Sequence, residues 1–146
     1  MGTAQASDYL ENLILDHLFR TRTWAKPTAI YVALFTAAPS DAGGGTEVSG
    51  GGYARVALAP GDTNWAATQG GTSGNSSGAG GQTSNAVAIT FASPTAAWGT
   101  VTHFGLFDAA SGGNLWIWDA LTTPLAITSG GPAGSFAAGA LQITVS

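Results

Sequence analysis

The sequence predicts a mainly β protein, an antiparallel β-sandwich with jelly-roll-like character and one N-terminal α-helix. Three observations predict it. Seven or eight short runs rich in Val, Ile, Thr and aromatic residues alternate with Gly- and Pro-containing turns. Only residues 8–22 space their apolar side chains at the 3.6-residue period of a helix. Finally, residues 98–121, WGTVTHFGLFDAASGGNLWIWDAL, form two strands joined by a Gly-containing loop, and both faces of that hairpin are apolar. A hairpin with one face in water alternates apolar and polar residues. This one does not, so each face requires a cover: a second sheet, the helix, or a neighbouring subunit.

The helix comes first. Asp8 is a candidate N-cap, with Glu11 three residues on as its capping-box partner. Leu10, Leu13, Ile14 and Leu18 make one stripe, which Leu15 and Phe19 widen. Arg20 and Arg22 stand in the expected last turn, where cations suit the helix dipole. Such a helix covers one end of a sandwich or docks on a partner through Leu13 and Leu18.

Beyond Pro27 the sandwich is expected to run from residue 28 to 146. Residues 30–36, IYVALFT, are its first strand, and residues 53–58 follow as a second after two glycine triplets. Neither triplet is followed by Lys-Ser/Thr or opens a helical pattern, so they read as turns and not as a phosphate cradle. Residues 70–81 are Gly/Ser-rich, nine of the twelve being Gly or Ser, and would be mobile unless a neighbouring surface holds them. Residues 86–91 are the third strand, and Pro94 interrupts before the hairpin.

Within the hairpin, pairing Asp108 with Asn114 sets a register by counting. Leu106 then faces Trp116 and Phe104 faces Trp118 on one side. Phe107 faces Leu115, His103 faces Asp119 and Val101 faces Leu121 on the other. Burying one Trp removes about 150–250 Å² from water, roughly 4–6 kcal/mol as an upper bound. Thr122-Thr123-Pro124 is read as a turn into 125–128, and residues 135–145 as one bent or two short strands broken at Gly139.

Composition narrows the function. A chain of 146 residues reads as a single domain, 1–146. It has no Cys, so no disulfide framework and no thiolate metal site. Charged residues make up only 8% against 45% apolar, a balance that suits a protein packed against others. Net charge is −4 and no Lys or Arg follows Arg55. Nucleic-acid binding and a polybasic membrane anchor both need a basic patch that is missing. No apolar run reaches 18 residues, and no signal-peptide pattern opens the chain, which reads as unprocessed.

Few residues could do chemistry. His103 opposite Asp119 is either a satisfied hydrogen-bonded pair or the orienting half of a triad, but no G-x-S-x-G elbow supplies the Ser. No carboxylates cluster at metal-ligand spacing. The chain is expected to be no enzyme and to need no cofactor. Five Trp residues make a high aromatic load. Trp116 and Trp118 suit a core or subunit interface, and Trp65, beside the Gly/Ser loop, is the better candidate for stacking on a sugar, with Trp24 as another.

Three segments together resemble a family of small tailed-phage virion proteins. They are YVALFTAAP at 31–39 with DAGGGTEVSGGGYAR at 41–55; AITF at 88–91 with WGTVTHFGLFD at 98–108 and GGNL at 112–115; and FAAGALQIT at 136–144. The order and spacing run through nearly the whole chain, and the N-terminal helix fits as well. The long Gly/Ser insertion and GGPAG at 130–134 depart from the pattern. The resemblance implies a structural protein of the virion, and members are labelled tail-fibre or structural proteins. It carries no catalytic residues. With the composition, it leads first to a capsid decoration or cement subunit, a dimer or trimer bound to the major capsid protein or other virion proteins. The alternative is a tail-fibre or tail-tip component binding host glycan. Interface candidates are Leu13, Leu18, Trp65, Trp116 and Trp118.

Overall fold

The computed structural model describes residues 3–145. Its elements, in chain order, are β1 (Gln5–Ala6), α1 (Asp8–Phe19), β2 (Ile30–Ala37), β3 (Thr46–Glu47), β4 (Val56–Leu58), β5 (Gln82–Ser84), β6 (Ile89–Thr90), β7 (Gly99–Phe107), β8 (Leu115–Ile127), β9 (Ser135–Phe136) and β10 (Gln142–Thr144). The fold is mainly β with antiparallel sheets and one N-terminal helix, as a β-sandwich with such a helix requires.

One six-stranded antiparallel sheet dominates, in the order β1-β8-β7-β2-β3, with β4 also beside β2. Two ribbons, β5 with β10 and β6 with β9, supply the second layer. They pack on the sheet face that carries Val32, Leu34, Val101, Phe104 and Leu106, and add Ile89, Phe91, Phe136, Leu141 and Ile143 to one core. Asn85 organises that layer from within. It is fully buried, its amide nitrogen donates to the carbonyls of Val87 and Ala137 (2.8 Å each), and its Oδ1 accepts from the Leu141 amide (2.8 Å). A buried amide satisfied on both ends holds three segments without a ladder of its own.

Among the described residues the opposite face has no second sheet. Ala33, Phe35, Phe107 and Leu115 form a smaller cluster, flanked by half-buried Tyr31 and Trp118. The two-faced greasiness of the hairpin is thus met by a full layer on one side and by a few long side chains on the other.

The hairpin register departs from simple counting. Phe107 pairs with Leu115 as expected, but Leu106 pairs with Ile117, Gly105 with Trp118, Phe104 with Asp119 and His103 with Ala120. The cause is a bulge: Trp116 is an extra residue in β8, and it moves every later partner by one. Trp116 and Trp118 therefore do not share a face. His103 and Asp119 do not meet either. The His103 ring Nδ1 lies 2.8 Å from Thr102 Oγ1, while Asp119 Oδ1 accepts from the Ala120 amide.

A second irregularity replaces the expected turn at 122–124. β8 runs through it to Ile127, and Val101 pairs with Leu125 instead of Leu121. The extra residues, 121–124, bulge out opposite Thr102, so Pro124, which has no N–H to donate, falls where the ladder is already interrupted.

The helix also differs. It stops at Phe19, leaving Arg20 as C-cap and Arg22 outside. Its N-cap is Ser7, whose hydroxyl accepts from the Leu10 amide (3.2 Å) and donates to the Leu115 carbonyl. Asp8 is then the first helical residue, and Glu11 lies one position past the capping-box site. Of the apolar stripe only Leu10 is buried. Residues 53–58 and 86–91 contract to β4 and β6. Residues 135–145 give two short strands in different ribbons, with Gly139 between them at φ +80°. The glycine triplets are turns. Gly51 (φ +55°) is required there, because a Cβ would come within 2.9 Å of the Ala96 carbonyl oxygen, and its own carbonyl accepts from Trp98 Nε1 (2.9 Å).

Candidate functional site

Three features stand out on this scaffold. The first is built on Arg55. Its guanidinium makes a bidentate ion pair with Glu47 (Nε to Oε1 2.8 Å, Nη2 to Oε2 2.7 Å). Nη1 donates to the carbonyls of Ala109 and Gly112, both at 2.8 Å. The guanidinium carbon lies 3.6 Å from the centroid of the Phe107 ring. The side chain is only 5% exposed. One cation therefore ties the 40–55 loop to the β7–β8 turn and covers part of the sheet face that has no second layer. Tyr53 completes the knot, its hydroxyl donating to Glu47 Oε1 (3.0 Å) and accepting from the Leu34 amide (3.0 Å). Burial pushes the Tyr53 phenol well above its usual range; the Leu34 hydrogen bond opposes this and the Glu47 charge reinforces it. Beside the knot, between the start of α1 and the β7–β8 turn, lies a cavity of about 700 Å³. With four hydrogen bonds already made, the Arg55 guanidinium acts as a clamp.

The second feature is a cavity of about 470 Å³ beneath the Gly/Ser loop. Trp65, Trp116, Lys26, Asp62, Ser73 and Asn75 are among its walls. The loop itself is exposed and folds on its own polar groups: Gln69 donates to the Asn75 carbonyl and accepts from the Ser77 amide, both at 2.9 Å.

The third is α1. Leu15 is 51% exposed, Leu18 65% and Phe19 79%, with Tyr9 and Ile14 also outside. Among the described residues the helix reaches the sheet at the β1–β8 edge, and Tyr9, Ile14, Leu15, Leu18 and Phe19 are left exposed.

The five interface candidates scatter over these features. Leu18 is exposed and Leu13 half-buried, both on α1. Trp65 is half-buried in the cavity wall, and Trp116 is 7% exposed with its ring edge-on to Trp24 at 5.5 Å. Trp118 lies on the other sheet face, 6.1 Å from the His103 ring. Among the described residues no group of three or more His, Asp or Glu could hold a metal ion. Arg55 was not singled out from the sequence, although a signal existed. It is the last basic residue of the chain and stands eight residues after Glu47.

Two of the segments whose spacing drew the resemblance, 41–55 and 112–115, are joined by the Arg55 clamp at the Gly112 carbonyl. Residues 5–144 match the family described as podophage GP4 fiber I protein gp80. The chain belongs to this family. It is accordingly a bacteriophage virion structural protein and a component of the virion. No curated protein matches it. In this fiber-family chain, β1 begins where the matched region begins, and β10 ends where it ends. The clamp and the helix lie inside it, and so does the lining of the cavity beneath the Gly/Ser loop apart from Val145.

Proposed function

We infer that this chain is a non-enzymatic subunit of a virion fiber, joined to a neighbouring virion protein through the apolar face of α1. The observation that carries the reading is that Leu15, Leu18 and Phe19 stand in solvent on a helix the sheet does not cover. Together they expose about two side chains' worth of surface, and burying it would contribute roughly 6 kcal/mol as an upper bound, enough to matter in a repeated joint. The scarcity of charge in the chain points the same way: Asp8 and Glu11 in the first turn and the exposed Asp16–Arg20 pair are the charges that border this face, and Asp8 and Glu11 stand at its N-terminal end where they can stay at the rim. The family's description as a fiber protein favours a fiber over capsid decoration.

The test is the position of this chain in a density map of the intact virion. Density along a fiber, with α1 against a neighbour, is the expected result. Density seated over joints between capsid subunits would replace this reading with a decoration role. In solution, Leu18→Glu with Phe19→Glu should leave the fold intact and abolish self-association or incorporation into virions; unchanged incorporation would remove α1 as the joint.

A further inference from the structure

We propose that the cavity beneath residues 72–76 binds an uncharged sugar, held against the Trp65 and Trp116 rings. Three observations lead there. The volume, about 470 Å³, lies in the range of about 300–1,000 Å³ typical of small-molecule sites. Its apolar wall is made of two indoles together with Leu106, Ile117 and Ile143, and flat aromatic surface suits the C–H face of a sugar ring.

The second observation is unmet hydrogen bonding. The Nε1 groups of Trp65 and Trp116 are both buried without a partner. Buried indole N–H groups are usually satisfied, and an orphaned one carries a desolvation penalty that a ligand oxygen would remove. Trp98, by contrast, donates to the Gly51 carbonyl at 2.9 Å. A third orphaned indole, Trp118 Nε1, lies on the other sheet face, so it is the meeting of two orphaned donors at one cavity, and not orphaning itself, that points to a ligand.

The third is the polar rim. Asp62, Lys26, Ser73 and Asn75 line the same cavity, and their side chains make no hydrogen bond or ion pair with the described residues. One acid and one base balance, so the rim favours a neutral ligand. A carboxylate accepts from two adjacent hydroxyls, while an amide and an ammonium donate to ring and hydroxyl oxygens. Flat apolar wall, neutral rim and a mixture of donors and acceptors are the complement of a hydroxyl-rich ring.

Reaching the indole nitrogens requires the 70–81 loop to shift. The loop permits it: a Cβ placed on Gly70, Gly71, Gly74, Gly78 or Gly80 would meet nothing within 4 Å, so little packing holds the loop down. Only the source of the sugar, a surface glycan met by a fiber, rests on the fiber reading; binding itself rests on the cavity.

The experiment is a titration of the full chain, labelled with ¹⁵N, by glucose, galactose, N-acetylglucosamine and rhamnose, as free sugars and short oligosaccharides. The indole signals of Trp65 and Trp116 should move on addition of at least one sugar while those of Trp98 and Trp118 stand still. Asp62→Ala and Asn75→Ala, both at exposed positions, should each weaken that sugar about tenfold with the fold retained. Trp65→Ala should abolish it, with Trp65→Phe restoring part. The proposal is overturned if no sugar in the panel moves the two signals, if the exposed-site variants bind as tightly as the parent, or if uncharged peptides move the signals and sugars do not. A virion map that places the chain on the capsid would refute the fiber reading and leave this titration standing.

Discussion

Replacing Arg55 by Ala removes more than one contact at once, and the structure allows the loss to be reckoned. Glu47 keeps its carboxylate in a partly buried place, 27% exposed, with Tyr53 as its remaining donor. The carbonyls of Ala109 and Gly112 lose their donor, and the Phe107 ring loses the cation at 3.6 Å. Breaking a buried ion pair from one side costs about 3–5 kcal/mol, and a desolvated cation–π contact adds about 1–2 kcal/mol. Rim exposure of Glu47 argues for the lower end, so Arg55→Ala should lose about 4 kcal/mol. Arg55→Lys keeps the charge but cannot present the planar fork to Glu47 and two carbonyls together, and should lose about 2 kcal/mol. Equilibrium urea unfolding, followed by Trp fluorescence, measures both. A loss below about 1 kcal/mol for Arg55→Ala would show that the guanidinium is solvated and that the loop and the turn are not held by it. A double-mutant cycle with Glu47→Gln gives the coupling directly, expected near 2 kcal/mol.

Tyr53 makes stability depend on alkaline pH. Its folded-state value lies above the unfolded one, so its contribution is complete below the unfolded value near pH 10 and is lost as pH rises from there towards the folded value. Unfolding free energy should fall by up to about 1.4 kcal/mol per pH unit in that window, and Tyr53→Phe should flatten the decline; equal slopes would deny the burial. Gly112→Ala and Gly113→Ala separate conformation from crowding. Both have positive φ, but a Cβ on Gly112 meets open space, whereas on Gly113 it strikes Asp108 Oδ1 and Ala109 Cβ. Thermal unfolding should show about 1 kcal/mol lost at Gly112 and about 3 kcal/mol at Gly113; equal losses would mean the turn relaxes freely. Ser7→Ala removes the cap of α1 and the bond to Leu115, and should cost about 1–2 kcal/mol by urea unfolding, while Asp8→Ala should cost under about 0.5 kcal/mol.

The fold class was legible because it depends on pattern. β-branched and aromatic runs between Gly and Pro turns, a single helical period, and a hairpin greasy on both sides leave few architectures. The hairpin turn was legible as well, since Asp108 and Asn114 bracket a Gly-Gly pair. What failed was counting beyond the turn. One extra residue at Trp116 reverses the faces of everything after it, and nothing in the local composition marks it. The helix period was visible too, but period does not say what a stripe packs against. In this chain Leu10 is buried and Leu13 half-buried, while Ile14 and Leu18 stand exposed.

The amino-acid sequence by itself determined the mainly β architecture with its N-terminal helix, the scarcity of charge, and the phage-virion resemblance, because these follow from residue type and order along the chain. Tertiary structure alone decided that Glu47, Arg55 and the 109–112 carbonyls meet, that Trp116 and Trp118 part, and that His103 and Asp119 stay apart. Those outcomes rest on where β-bulges fall and which loops cross. Such features are set by long-range packing, and short-range propensity carries almost no information about them.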